Sequence, residues 1–121
     1  NPTSREACEF LGTTNLIDGV MRNRNQIETA LGLLTCTANG ANLQEVTTAI
    51  RPEEMHLSVA PSGLENEFTA EITAAAFLGE LTICDLVVNG TKLRFKTTES
   101  ALPGKPAYVR LPKDKLKLFS R

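Results

Sequence analysis

Four groupings in this 121-residue sequence carry side chains capable of chemistry. The first is one histidine, His56, with three cysteines, Cys8, Cys36 and Cys84. Imidazole and thiolate are the usual ligands of zinc, but structural zinc sites take four of them, mostly in closely spaced pairs. These cysteines are far apart in sequence and none neighbours His56, so no metal site is expected. An odd count without close spacing also argues against a disulfide framework. Cys36 and Cys84 lie inside strand-like runs and read as small buried apolar residues of a reducing compartment. The second grouping is Asp18 and Asp85. Two carboxylates can divide general acid and general base between them, but neither a nucleophile nor an acid partner accompanies this pair. The third is the turn Arg51-Pro52-Glu53-Glu54. Here Arg51 and Glu53 are the candidate contact residues of a dimer or regulatory interface. Against that stands a brace-and-solvent role, since an exposed ion pair contributes only ~0–1 kcal/mol. The fourth is the basic stripe Lys92, Arg94 and Lys96. Single-stranded nucleic acid needs exposed aromatics beside the charge. Phe95 falls on the opposite face, so a solvated strand face is expected and no nucleic-acid partner. Lys113, Lys115 and Lys117 read the same way. No catalytic, cofactor-binding or metal-binding residue emerges.

The elements that must position these residues are mostly strands. Thr3 and Glu6 form a capping box for a short N-terminal helix over 3–11, closed by Gly12. Strands are expected from Leu16 to Met21, over 31–37 and from Val46 to Arg51. Asp18-Gly19 within the first marks a bulge or a close backbone approach. Pro52 stops the third strand, because it has no N–H for the ladder. Met55, Leu57 and Val59 then alternate with His56, Ser58 and Ala60, the period-2 pattern of a half-buried strand. His56 falls on the polar side of that strand. Phe68 to Ala76 carries good helix formers, but Thr69, Ile72 and Thr73 favour a strand. Leu81 to Val88 reads as a well-buried strand, and Asn89-Gly90 as a type I′ hairpin turn into the amphipathic strand 92–97. Turns at Asn39-Gly40 and Leu102-Pro103-Gly104 and strands over 107–111 and 116–119 complete the list. A net charge of −1 removes any overall field toward nucleic acid or anionic lipid.

The chain also repeats itself. Phe10-Leu11-Gly12 is echoed by Phe77-Leu78-Gly79, and at that offset Leu16, Asp18 and Val20 fall on Ile83, Asp85 and Val87. Pro52 with two acids is echoed by Pro112 with Lys113-Asp114, each leading into an alternating strand. The series implies two similar β units, about 10–60 and 67–119, sharing one core in a small all-β barrel.

Phe10-Leu11-Gly12, Asn15-Leu16, Gly19-Val20, Ile50-Arg51-Pro52-Glu53, Phe77-Leu78-Gly79 and the C-terminal strand pair, in that order, resemble the transport-associated OB (TOBE) domain. That domain follows the nucleotide-binding domain in ABC importer ATPases of the maltose, polyamine, iron(III) and sulfate class. The resemblance covers nearly the whole chain and implies an OB-like β-barrel over 1–121 as a single domain. It implies a non-catalytic accessory or regulatory role, acting through protein contacts in the ATPase dimer. The implied partners are the preceding nucleotide-binding domain, a second copy of the subunit and, indirectly, the transmembrane permease subunits. No cofactor is expected in this chain, because ATP and magnesium belong to the nucleotide-binding domain, and neither a Walker A loop nor a Leu-Ser-Gly-Gly signature is present. The start at Asn1 is expected of a piece of a longer ATPase subunit. A cytoplasmic location, peripheral to the inner face of the membrane, follows from the same likeness. Related OB-type domains bind molybdate-like oxyanions, and Asn15-Leu16 with Gly19-Val20 is similar to their opening motif, so a small-oxyanion module is the alternative.

Overall fold

The structure is a computed structural model, and it describes residues 14–37, 44–98, 102, 104 and 106–121. The expected N-terminal helix, Cys8, the Phe10-Leu11-Gly12 motif, the Asn39-Gly40 turn and Pro103 lie outside the described residues. Ten strands follow one another: β1 Asn15–Asn23, β2 Gln26–Thr29, β3 Gly32–Thr35, β4 Glu45–Ile50, β5 His56–Ser58, β6 Glu67–Leu78, β7 Leu81–Val88, β8 Thr91–Thr97, β9 Ala107–Arg110 and β10 Lys117–Ser120. Two short 3-10 turns, Pro52–Glu54 and Lys113–Lys115, precede β5 and β10. No helix among the described residues is long and apolar enough to cross a membrane. The all-β, OB-like barrel expected from the sequence is the fold observed.

The strands form two antiparallel five-stranded sheets, ordered β10-β4-β1-β2-β3 and β5-β9-β6-β7-β8. Each sheet repeats the other with five added to or taken from every strand number. The halves exchange their last strands. β5, from the first half, pairs with β9, placing His56 opposite Arg110. β10, from the second half, pairs with β4, placing Lys117 opposite Ala49. Alternate residues of both halves point into one core that includes Ile17, Ile27, Leu34 and Ile50 with Leu86, Leu93, Val109 and Leu111. The two units therefore cannot bury their apolar faces separately.

These registers correct the sequence-based echo. β1 occupies the place of β6, not of β7, so Leu16, Asp18 and Val20 do not correspond to Ile83, Asp85 and Val87. The paired registers instead carry Asn15, Ile17, Gly19 and Met21 onto Asn66, Phe68, Ala70 and Ile72. Phe77-Leu78-Gly79 is a hairpin tip and does not open a unit. The proline echo is one residue out of step: Ala49 and His56 correspond to Arg110 and Lys117, so Arg51 lies on Pro112 and Pro52 on Lys113. Each 3-10 turn delivers one apolar residue, Met55 or Leu116, to the core.

Local expectations resolve as follows. The strand reading of Phe68 to Ala76 holds, and β6 is longer than expected. β2 was not anticipated. It is four residues long and its only strong apolar residue is Ile27, too brief for a periodic signal. β7 alternates buried and half-buried side chains, so one face only meets the core. Val59 is 60% exposed because β5 ends at Ser58, and the alternation expected through Ala60 stops with it. Asn89 and Gly90 both take positive φ, 48° and 79°, as a type I′ turn requires. At Gly19 the register with β4 is unbroken, so there is no bulge. A Cβ there would stand 2.6 Å from Ile27 Cγ2 and 2.7 Å from the Glu28 carbonyl oxygen, so the close-approach alternative is the correct one.

Candidate functional site: a cleft beside the crossing turn

The 3-10 turn Pro52–Glu54 carries the chain from the first sheet to the second, and β8 packs beside it. Arg51 and Glu53 are both exposed. The turn is closed without their side chains: Glu54 N–H donates to the Arg51 carbonyl at 3.0 Å, and Arg51 N–H donates to Glu54 Oε1 at 2.9 Å. Pro52 is buried, as a strand-ending proline at a sheet crossing can be. No ion pair joins Arg51 to Glu53.

The structure separates these two residues. Glu53 stands on the rim of a cleft of about 340 Å³ between the turn and the end of β8. His56, Lys96, Thr97 and Thr98 complete the polar rim, and Met55, Leu57 and Phe95 line the apolar interior. Arg51 is not among the lining residues. His56 is exposed, as expected of its strand face, but it opens onto the cleft. Lys96, read from the sequence as one cation of a solvated stripe, belongs to the same rim. Among the described residues the cleft holds one carboxylate, one imidazole, one ammonium and two hydroxyls. This set can bind a small polar molecule, but among the described residues it offers no nucleophile with an adjacent base. Among the described residues no group of three or more His, Cys, Asp or Glu side chains could hold a metal ion.

The remaining candidates are dispersed. Asp18 accepts from the Thr47 hydroxyl at 2.8 Å and stands 3.8 Å from Arg121 in the first sheet. Asp85 pairs with Arg94 at 3.2 Å in the second. They are no carboxylate dyad, and Arg94 is partly neutralised within its own strand pair. Lys92 is exposed on the outer face of β8, opposite the buried Phe95, as the solvated-stripe reading requires. Cys36 and Cys84 are buried, and burial first, then the Asp85 charge, pushes the Cys84 thiol above its ordinary range.

Sequence reasoning named Asn15 only as part of a motif and missed that it and Asn66 link the halves through their side chains. Asn15 Nδ2 donates to the Arg94 carbonyl at 2.9 Å, and Asn15 Oδ1 accepts from Arg94 N–H at 2.7 Å. At the corresponding place Asn66 Nδ2 donates to the carbonyls of Thr35 at 2.7 Å and Leu111 at 2.9 Å, and Asn66 Oδ1 accepts from Thr35 N–H at 2.8 Å. Both side chains are nearly buried. Each amide caps the free edge of the opposite half's third strand, β8 or β3, the role an edge-covering device must play in an open sheet. A signal was available: Asn-x-Ile-x-Gly-x-Met at 15–21 and Asn-x-Phe-x-Ala-x-Ile at 66–72 share one spacing of polar, apolar, small and apolar residues.

Comparison with known proteins gives this architecture a family. The chain is 30% identical over 134 residues to the molybdate/tungstate import ATP-binding protein of Pyrococcus abyssi, covering 98% of this chain and 36% of that one. It is 28% identical over 111 residues to the spermidine/putrescine import ATP-binding protein of Acetivibrio thermocellus, covering 91% of this chain and 31% of that one. The chain thus spans about a third of the length of these relatives. Among solved structures, the cytoplasmic molybdate-binding protein ModG, with molybdate bound, matches at a TM-score of 0.77 and 17% identity, over 88% of this chain and 96% of that chain. A likeness at that identity speaks for the fold. A model of the TOBE domain matches residues 48–119, more than half of the chain and both exchanged strands, so the chain belongs to the TOBE domain family.

Proposed function

We propose that this chain is a non-catalytic accessory domain of the ATP-binding subunit of an ABC importer, acting through protein–protein contacts in the ATPase dimer. The observation that carries this is the TOBE match over 48–119, joined to two relatives that are both import ATP-binding proteins about three times as long. In this role the partners are a nucleotide-binding domain, a second copy of the subunit and, indirectly, the permease. The location is the cytoplasmic face of the membrane. ATP and magnesium act in the nucleotide-binding domain, and the dispersed side chains of this barrel have no part in hydrolysis. Arg51 and Glu53, exposed on the crossing turn, are the polar contacts it offers to a neighbour. The test is the reading frame that encodes Asn1 and its upstream sequence. A Gly-rich phosphate-binding loop and a signature motif are expected there, and a frame that encodes no nucleotide-binding domain refutes the assignment.

A second reading, a small-oxyanion module, is favoured by the fold shared with a molybdate-bound protein. The cleft rim supplies Lys96, His56 and two threonine hydroxyls as donors, with Glu53 opposed to an anion among them. Calorimetry and thermal shift with molybdate, tungstate and sulfate decide it. A stabilisation of roughly 2.7 kcal/mol at a hundredfold excess over Kd is expected if an anion binds the folded state alone. No heat and no shift at millimolar anion refute it.

A further inference from the structure

The loop that joins the two halves closes on a carboxylate. Ser62 N–H donates to Glu67 Oε1 at 2.8 Å, and Gly63 N–H donates to the same oxygen at 3.4 Å. The Ser62 hydroxyl donates to Glu67 Oε2 at 2.8 Å. Gly63 holds φ at 77°, a left-handed conformation that lets successive N–H groups turn toward one point. A concavity of successive backbone N–H groups is an anion site, and here both oxygens of an anion sit in it. Burial alone raises the Glu67 carboxyl, but the hydrogen bonds from Ser62 and Gly63 and the Arg110 charge outweigh it and hold the group below the usual 4.5. Arg110 is the cross-strand neighbour of Glu67, and its Nε is buried without a hydrogen-bond partner. The strand itself does not need this carboxylate: in the registers that carry Asn15 onto Asn66, Leu16 stands at the place of Glu67. Nor does the loop owe its shape to Glu67 alone. Leu64 N–H donates to the Ser62 hydroxyl oxygen at 3.2 Å. Just beyond, Glu65 is held by Arg110 at 2.8 Å and by Lys113 N–H at 3.3 Å, and Asn66 by its own three bonds. Ser62, Gly63 and Leu64 are exposed, and nothing lies within 4 Å of where a Cβ at Gly63 would stand, so the loop lies open to solvent.

We propose that this loop is an anion receptor filled by the chain's own carboxylate, an autoinhibitory contact in which Glu67 shuts small carboxylates and oxyanions out of the loop. The donors, two N–H groups and one hydroxyl, suit a free carboxylate or sulfate as they suit the glutamate side chain. Glu67 prevails because it is tethered. It stands five residues from Ser62, so an external anion competes with a ligand at the high effective concentration of an intramolecular group. In the native chain an oxyanion response therefore belongs to the cleft beside the crossing turn and not to this loop. The inference stands on the loop geometry and rests on neither functional reading above.

The experiment titrates sodium sulfate and sodium acetate into this chain and into Glu67→Ala, following the backbone amide resonances. In Glu67→Ala the Ser62 and Gly63 amides are expected to shift with a Kd on the order of 1–20 mM, since a few exposed donors hold the ion. Both anions should also raise the unfolding midpoint of that variant. In the unaltered chain the same amides stay fixed over that range, and chloride at matched ionic strength moves them in neither protein. Adding Ser62→Ala to Glu67→Ala weakens binding by about 3- to 10-fold, as loss of one donor to an anion should. Adding Lys96→Ala instead leaves the loop response unchanged, which separates this site from the cleft. If Glu67→Ala unfolds under the assay conditions, acetate should restore its folding, and failure of that rescue overturns the proposal. So do Ser62 and Gly63 amides that stay fixed in a folded Glu67→Ala, or that move as far in the unaltered chain as in the variant. Shifts confined to Lys96 and Thr97 overturn the loop receptor while leaving the oxyanion reading of the cleft intact, and no shift in either protein refutes both.

Discussion

Replacing Asn66 with alanine should destabilise the domain by about 4 kcal/mol, far more than its position at the start of a strand suggests. Three hydrogen bonds vanish, to Thr35 N–H, Thr35 C=O and Leu111 C=O. At about 1 kcal/mol net each they contribute roughly 3 kcal/mol. Asn66 also holds φ at 58°, a left-handed conformation that asparagine tolerates and alanine enters at a cost of about 1 kcal/mol. Asn66→Gly accepts that backbone freely and should lose only ~3 kcal/mol. Asn66→Asp keeps the acceptor for Thr35 N–H but turns a carboxylate toward two carbonyl oxygens, so at pH 7 it should be at least as damaging as alanine. Asn15→Ala, with two bonds and no positive φ, should cost about 2 kcal/mol. Urea unfolding at constant m separates these values. If Asn66→Ala and Asn15→Ala each cost under ~1 kcal/mol, or if glycine is as poor as alanine at 66, the amide clamps do not close the barrel.

Thr48→Val should stabilise by roughly 1 kcal/mol, because the Thr48 hydroxyl is buried without a hydrogen-bond partner and valine keeps its shape; a loss of stability in urea unfolding would show a hidden partner. Gly19→Ala should cost about 1–3 kcal/mol, since the new Cβ meets a carbonyl oxygen at 2.7 Å that cannot move without breaking the β1–β2 ladder; an unchanged urea midpoint would refute the close approach. Acid should act partly through Glu65. Hydrogen bonds from its own backbone N–H and from Lys113 N–H, then Arg110 at 2.8 Å, hold its carboxyl below the usual 4.5. A depressed carboxylate contributes stability in full above the unfolded value and loses it as pH falls through the folded one. Stability should therefore fall below about pH 4.5, and Glu65→Gln should flatten that part of the profile; an unaltered slope would show that Glu65 is not coupled to folding.

Most strands were legible because each keeps one face in the core. Leu93 and Phe95 alternate with Lys92 and Arg94 around a turn of unmistakable type, and β8 needed nothing more. β4 was legible for its β-branched run, yet its register was not, since Thr47 and Thr48 are both fully buried and erase the alternation. The repeat was legible but misaligned. Phe-Leu-Gly is conspicuous, but it marks a hairpin tip, whereas the true anchor is a pair of asparagines that look like loop residues until their carbonyl partners, Arg94 and Leu111, come from elsewhere in the chain. The cleft was half legible: Glu53 and His56 are near in sequence, but Lys96 and Thr97 reach them only through packing between β8 and the crossing turn. Nothing local to any of these residues encodes that approach.

The exchange of β5 and β10 explains where this domain has room to specialise. Each half supplies the strand that completes the other's sheet, and each asparagine clamps the other's third strand, so changes to the strands or the crossing turns are felt by both sheets at once. The outer end of the β6–β7 hairpin lies outside that constraint. From Thr73 to Glu80 it is exposed and buries no side chain, while Thr82 and Cys84 of the returning strand stay buried beside β8. An exposed Phe77 and Leu78 there contribute little to the stability of the barrel, and the bulge between Ile72 and Ala74 twists the β6 edge away from pairing, so this hairpin end can change in sequence at least cost to the fold.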